Sequence, residues 1–246
     1  MATPMEVTLR DERLPVLVVT GMAKEMRLAG GPGLVAVASG GDPARLRRIL
    51  AEQDEADCRA VLSFGIAGGL DPDLAAGDAI VATGIVANGA RTATHAALSD
   101  WLAASLSAGG VRARLADIAG VDAPVLNASE KAAMLRETGA VAVDMESHIA
   151  CDFAARRGLM FAALRIVCDP AARSLPPIVA NALKPDGGVD HRVVLGNLLR
   201  RPTELASLSR LAGEARTSFR VLGRCGDLLG IGRGLPNLFQ PLGDVA

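Results

Sequence analysis

The chain has 246 residues, half of them hydrophobic, with a formal net charge of −1. This size and apolar content fit one α/β domain, or one domain with an appendage, and the charge excludes a general nucleic-acid binder, which needs a basic surface to neutralise phosphates. Five Phe, one Trp and no Tyr exclude stacking platforms for single strands, so any base pocket must be lined by aliphatic side chains and backbone.

In chain order, residues 14–20 are an apolar, β-branched run ending at Gly21, which predicts a buried strand, and 34–38 predict another. Asp42 is a good N-cap for a helix over 43–53, with Leu46, Ile49 and Leu50 at helical spacing. A third strand is predicted over 60–64, broken by a turn at Gly65, Gly68 and Gly69, and a fourth over 78–86. The pattern continues with a helix over 94–107, a strand over 111–118, a helix over 129–137 capped by Ser129, and a short strand over 140–143. A helix over 147–157 and a strand over 160–167, stopping at Cys168-Asp169-Pro170, complete the alternation. Strands that alternate with helices and are apolar throughout predict an α/β fold with a largely parallel sheet covered on both sides. Active residues in such sheets sit at strand carboxyl ends. Gly21 to Glu25, Gly65 to Gly69, Asp144 to Glu146 and Arg165 to Asp169 all fall there.

Past Asp169 the character changes. Pro176, Pro177, Pro185, Gly187 and Gly188 mark loops. Residues 192–224 hold seven Arg against two Glu, with Leu195, Leu198, Leu199, Leu205, Leu208 and Leu211 at helical spacing. This divides the chain into a domain over 1–184 and a basic amphipathic helical tail over 185–246, ending in a loose Gly-rich segment around 226–234. Such a helix either packs against the domain or a dimer mate with its Arg in solvent, or docks on anionic lipid. Cys58, Cys151, Cys168 and Cys225 lack CxxC spacing, as expected of reduced thiols in a cytoplasmic protein. His95, His148 and His191 show no ligand spacing, so no metal or other cofactor is expected. Glu6, Arg10, Asp11, Glu12 and Arg13 precede the first apolar run, unlike a signal peptide.

Asp169 ends an apolar strand, where desolvation raises a carboxyl pKa and keeps a proton available; the plain alternative is a turn-initiating Asp-Pro. Glu146 precedes a helix and suits either a helix cap or an acceptor for two ribose hydroxyls, with Met145 as an apolar floor. Glu25 is a first-turn Glu or a base for water. Arg165 lies inside a strand, where an unpaired charge is costly, so Glu25, Glu146 or phosphate is its expected partner. Gly65-Ile66-Ala67-Gly68 lacks GxGxxG spacing and would serve close backbone approach to a ligand.

These segments, in order over residues 16–170, resemble the purine nucleoside phosphorylase and methylthioadenosine/S-adenosylhomocysteine nucleosidase superfamily. They are Gly21-Met22-x-x-Glu25, then Gly65-Ile66-Ala67-Gly68-Gly69-Leu70 with Gly77-Asp78-Ala79-Ile80-Val81, then Val143-Asp144-Met145-Glu146, and Arg165-Ile166-Val167-Cys168-Asp169. The resemblance implies a mixed sheet flanked by helices, a homodimer or larger oligomer, and cleavage of a purine N-glycosidic bond by water or phosphate. It implies that Asp169 protonates purine N7, Glu146 and Met145 hold the ribose, and Glu25 and Arg165 hold the nucleophile beside the loop at Gly65, Ile66, Ala67 and Gly68. Pro124, Val125 and Cys168 fall where base contacts are expected. Departures are Ile66, where the nucleosidases carry a small hydroxyl residue, and the aromatic-free stretch Val86-Ala87-Asn88-Gly89-Ala90. Gly21 to Met26 and the tail are most similar to the hopanoid-associated phosphorylases, which implies an adenosine joined at its 5′ carbon to a lipid, such as adenosylhopane, and peripheral membrane contact through the tail. A non-catalytic nucleoside-binding protein on the same fold is the alternative.

Overall fold

In a computed structural model, residues 14–53, 58–174 and 205–230 are described. Their elements are β1 (Val16–Thr20), α1 (Ala23–Leu28), β2 (Leu34–Ala38), α2 (Pro43–Glu52), β3 (Ala60–Gly69), β4 (Ala79–Ala87) and β5 (Ala90–Ala93). There follow α3 (Ala96–Ala108), β6 (Ala113–Gly120), α4 (Ala128–Thr138), β7 (Ala142–Asp144), α5 (Ser147–Arg156), β8 (Met160–Asp169) and α6 (Leu205–Leu228). The strands form one sheet in the order β2-β1-β3-β7-β6-β4-β5, with β8 bridging β3 and β4. Strand β1 pairs parallel with β2 and β3, β3 with β8, β4 with β6, and β6 with β7. The antiparallel pairs are β3 with β7, β4 with β5 and β4 with β8. The sheet is therefore mixed and largely parallel, and β3, β8, β4, β6 and β7 close into a ring.

Both faces of the sheet are covered, as the uninterrupted apolar strands require. One face packs against Leu46 and Leu50 of α2 and Ile149 and Phe153 of α5. The other packs against Leu98, Leu102 and Leu106 of α3 and Leu222 and Cys225 of α6. Truncating a fully buried leucine such as Leu102 to Ala costs about 2–5 kcal/mol. Asp42 caps α2 as expected, its Oδ1 accepting from the amides of Ala44 and Arg45 at 2.9 and 3.0 Å.

Several local expectations are corrected. The glycines at 65, 68 and 69 do not break β3 into a turn; the strand runs on through Gly69, because Gly68 and Gly69 pair with Val143 and Ala142 of β7. The expected nucleophile loop is thus a strand end. Helix α4 starts after Asn127 rather than at a Ser129 cap. Strand β5, absent from the sequence reading, is the return arm of a hairpin at Asn88-Gly89, whose φ values of 51° and 73° are those of a tight primed turn.

Helix α6 continues through Gly226, where a loose segment was expected. A side chain at Gly226 would put its Cβ 3.1 Å from the Leu28 carbonyl, so glycine here permits the close crossing of α6 over α1. The buried stripe of α6 is Ser218, Leu222 and Cys225, continued by Leu229, while Arg216 and Arg220 face solvent. The Ser218 hydroxyl donates to the Val167 carbonyl of β8 at 2.7 Å. Leu195, Leu198, Leu199, Arg192, Arg200, Arg201, Glu204 and the 184/185 boundary lie outside the described residues. No described helix is long and apolar enough to cross a membrane.

Candidate active site

The parallel strands β1, β2, β3 and β8 bring their carboxyl halves to one side of the sheet, and the antiparallel β7 delivers Asp144 and Glu146 to the same place. At its centre Arg165 is completely buried. Its Nε lies 2.5 Å from Asp144 Oδ2, its Nη2 donates to Ser63 Oγ at 2.6 Å, and Glu146 Oε2 is 3.7 Å away. Nη1 has no hydrogen-bond partner. It points at the place where a Gly65 side chain would begin, and the same place is 2.7 Å from Glu25 Oε1. Gly65 faces Arg165 across the β3–β8 register, so the missing side chain lets the guanidinium and the Glu25 carboxylate share this space.

Glu25 is both a cap and a site residue. As the third residue of α1, it accepts from the amides of Gly21 and Met22 at 2.8 and 2.7 Å through Oε2, closing the helix start. Oε1 accepts from the Ile66 amide at 2.8 Å. Burial raises the Glu25 pKa; Arg165 and the three amides oppose it.

Glu146 ends the β7–α5 connection. Its Oε1 accepts from Ser39 Oγ at 2.9 Å, and a Cβ at Gly21 would sit 2.9 Å from the same oxygen. Burial, with Asp144 and Glu25 nearby, pushes its pKa up to about 7 against the pull of Arg165 and Ser39. Asp144 accepts from the Ser147 amide at 2.9 Å and from the Ser147 hydroxyl, which tethers α5 to the arginine. Burial works against the Arg165 charge, but Asp144, Glu146 and Glu25 outweigh it and hold the guanidinium above its ordinary pKa.

Asp169 is the last residue of the same strand, four positions beyond Arg165. The register of β8 against β3 slips between Ala67 and Gly68, so Asp169 rather than Cys168 stands opposite Gly68. Such an irregularity re-aims a side chain, and a Cβ on Gly68 would lie 3.4 Å from Asp169 Oδ2. Burial raises the Asp169 pKa, opposed by Lys131 and helped by Glu214. Lys131 of α4, fully buried, forms an ion pair with Asp169 Oδ2. Cys168 is buried, which pushes its thiol up to about 12. Pro124 is exposed and Val125 half-buried in the connection after β6, Val125 packing against the cluster of Leu70, Ala119 and Val143. Met145 is half-buried beside Glu146.

Glu25, Arg165, Glu146, Gly65 and Ile66 thus come into one cluster, and Asp169 and Gly68 into a second on the same strand pair. Sequence reasoning missed Ser39, Ser63, Ser147 and Lys131 and gave Asp144 no task. The signal for Ser39 was present, since Ser39-Gly40-Gly41 follows β2 as small polar residues at a strand end. All four cysteines are free thiols, and the described residues contain no group of metal-binding side chains.

Carboxylates gathered around one buried arginine in a mixed, helix-flanked sheet form a candidate enzyme site. The chain belongs to the phosphorylase superfamily, whose family model matches residues 13–184. Among solved structures it is similar to the futalosine hydrolase of Helicobacter pylori, with TM-score 0.63 and 16% identity over 87% of this chain and 98% of that one. It is similar also to the 5′-methylthioadenosine/S-adenosylhomocysteine nucleosidase of the same organism, with TM-score 0.63 and 17% identity over 88% and 99% of the two chains. The corresponding nucleosidase of Campylobacter jejuni gives TM-score 0.60 and 15% identity over 87% and 99%. At these identities the likeness is one of fold. No curated protein matches the chain.

Proposed function

We propose that this protein hydrolyses the N-glycosidic bond of a purine nucleoside, releasing the free base. Asp169 gives its proton to N7 as the bond's electron pair leaves with the base. Water bonds to the anomeric carbon and passes a proton to Glu25, while Arg165 Nη1 orients it. Glu146, steadied by Ser39, accepts the ribose hydroxyls over Met145, and Pro124, Val125 and Cys168 lie towards the base.

One observation carries the choice of water over phosphate. Three buried carboxylates, on Glu25, Asp144 and Glu146, surround one guanidinium whose Nε and Nη2 are already engaged. A phosphate dianion there would add negative charge to a site with a carboxylate excess, in a medium that screens poorly. Neutral water meets no such barrier. The test is base release with and without inorganic phosphate; strict phosphate dependence, with ribose 1-phosphate as product, overturns hydrolysis.

The finer reading is an adenosine with an apolar 5′ group, as in adenosylhopane. It is supported by an apolar cavity of about 270 Å³ lined by Ala23, Met26, Val37, Ala38, Gly40, Arg45 and Ile49. Its walls flank Glu25 and Ser39 in the chain. Competition between adenosine and 5′-alkyl adenosines of growing length tests it: equal kcat/KM for all of them removes the apolar subsite.

A further inference from the structure

We propose that Lys131 is the positioning residue for the acid: its buried ammonium clamps Asp169 by one carboxylate oxygen and by the backbone of the Asp169-Pro170 turn, leaves the other oxygen for the base, and sets a positive charge beside the carboxylate that forms when the proton leaves. The inference rests on the proposed base release.

Lysines are seldom fully buried, and an unpaired ammonium away from water is among the costliest groups a protein can hold. Lys131 nonetheless has no exposed side-chain surface. An ammonium has three protons to donate, and three acceptors meet them: Asp169 Oδ2, the Asp169 carbonyl at 3.3 Å and the Pro170 carbonyl at 3.2 Å. With all three donors engaged on the turn, Lys131 has none left for a ligand and acts through Asp169 alone. Lys131 takes Oδ2, so Oδ1 is the oxygen that the lysine leaves to address a base.

The other groups facing Asp169 do not supply this charge. From β3 the neighbour is Gly68, which brings no side chain. From α6 it is Glu214, whose carboxylate opposes ionisation of Asp169 and is itself paired with Arg173 at 2.5 Å. From its own strand it is the un-ionised Cys168. The Lys131 cation therefore stabilises the carboxylate that remains once the proton has gone to the base, against a burial that resists it.

Three variants separate position from charge: Lys131→Gln keeps a hydrogen-bond donor, Lys131→Met keeps the volume, and Lys131→Arg keeps the cation. The first readout needs no turnover. It is the titration of the Asp169 carboxyl by ¹³C NMR, identified by its loss in Asp169→Asn. We expect its midpoint to rise by about one pH unit or more in the Gln and Met variants, as for loss of a cation within ion-pair distance, and to stay near wild type in the Arg variant. The second is the pH profile of kcat/KM, whose alkaline limb moves up by the same amount, with kcat falling at least about 10-fold and KM little changed. Superimposable carboxyl titrations in wild type and Lys131→Gln overturn the proposal. A wild-type protein that releases no base from any nucleoside overturns the functional reading, and the carboxyl titration is then still decisive for the electrostatic clamp.

Discussion

Gly65 and Arg165 face each other across the β3–β8 register, and a methyl group on Gly65 would occupy the space that the guanidinium shares with the Glu25 carboxylate. Gly65→Ala must push one of the two aside. A displacement of about 1 Å at a reacting centre costs about 10²-fold in rate, and that loss in kcat is expected. Gly30→Ala, whose Cβ would meet nothing closer than 3.7 Å, serves as the control and retains wild-type turnover.

Asp169→Asn keeps the shape of the side chain and removes its proton. Base release should fall by about 10²-fold or more, the scale of general-acid loss, measured as free base liberated per minute. A variant with full activity takes Asp169 out of the chemistry.

Glu146 makes activity and stability respond to pH in opposite senses. Its folded pKa stands near 7, above the ordinary 4.5, so between those values the folded protein holds more protons than the unfolded chain. Stability therefore falls as pH rises through this window. The proposed binding of the ribose hydroxyls needs the carboxylate, so KM should improve over the same rise. Glu146→Gln should flatten the pH dependence of Tm and raise KM, as thermal melts and initial rates at pH 5 to 8 would reveal. An unchanged slope of Tm against pH refutes this account.

Arg165→Met leaves Asp144, Glu25 and Glu146 buried without their cation. Breaking a buried pair by removing one partner costs about 3–5 kcal/mol, read from denaturant midpoints. Adding Asp144→Asn should recover part of that loss, because the two residues share one interaction. Strict additivity of the two changes contradicts the coupling.

The strands were legible where hydrophobic burial alone decides them: β2 falls over 34–38, and β8 begins at Met160, as the apolar runs dictate. The glycines of β3 misled because local propensity reads Gly65, Gly68 and Gly69 as a turn, whereas their need for glycine comes from the side chains of Arg165, Glu25, Val143, Val167 and Asp169 pressing in from other elements. Strand β5 was missed because all four of its residues are exposed, leaving no apolar alternation, although Asn88-Gly89 announced the hairpin. Lys131 was illegible: its partner lies 38 residues away, and a lysine in a helix ordinarily points to solvent. Glu25 was open to two readings, cap or base; its bonds to the Gly21 and Met22 amides make it a cap, and the base belongs to the proposed mechanism.

Leu164, Arg165 and Ile166 carry β3 on one edge and β4 on the other, inside a ring of strands that returns to its start. No edge is left there to peel away. Backbone amides in this stretch should therefore exchange with deuterium only when the molecule unfolds as a whole, whereas those of residues 121–126, outside any helix or strand, should exchange by local opening. On the proposed mechanism, a nucleoside would therefore meet Arg165 held in a strand with no free edge.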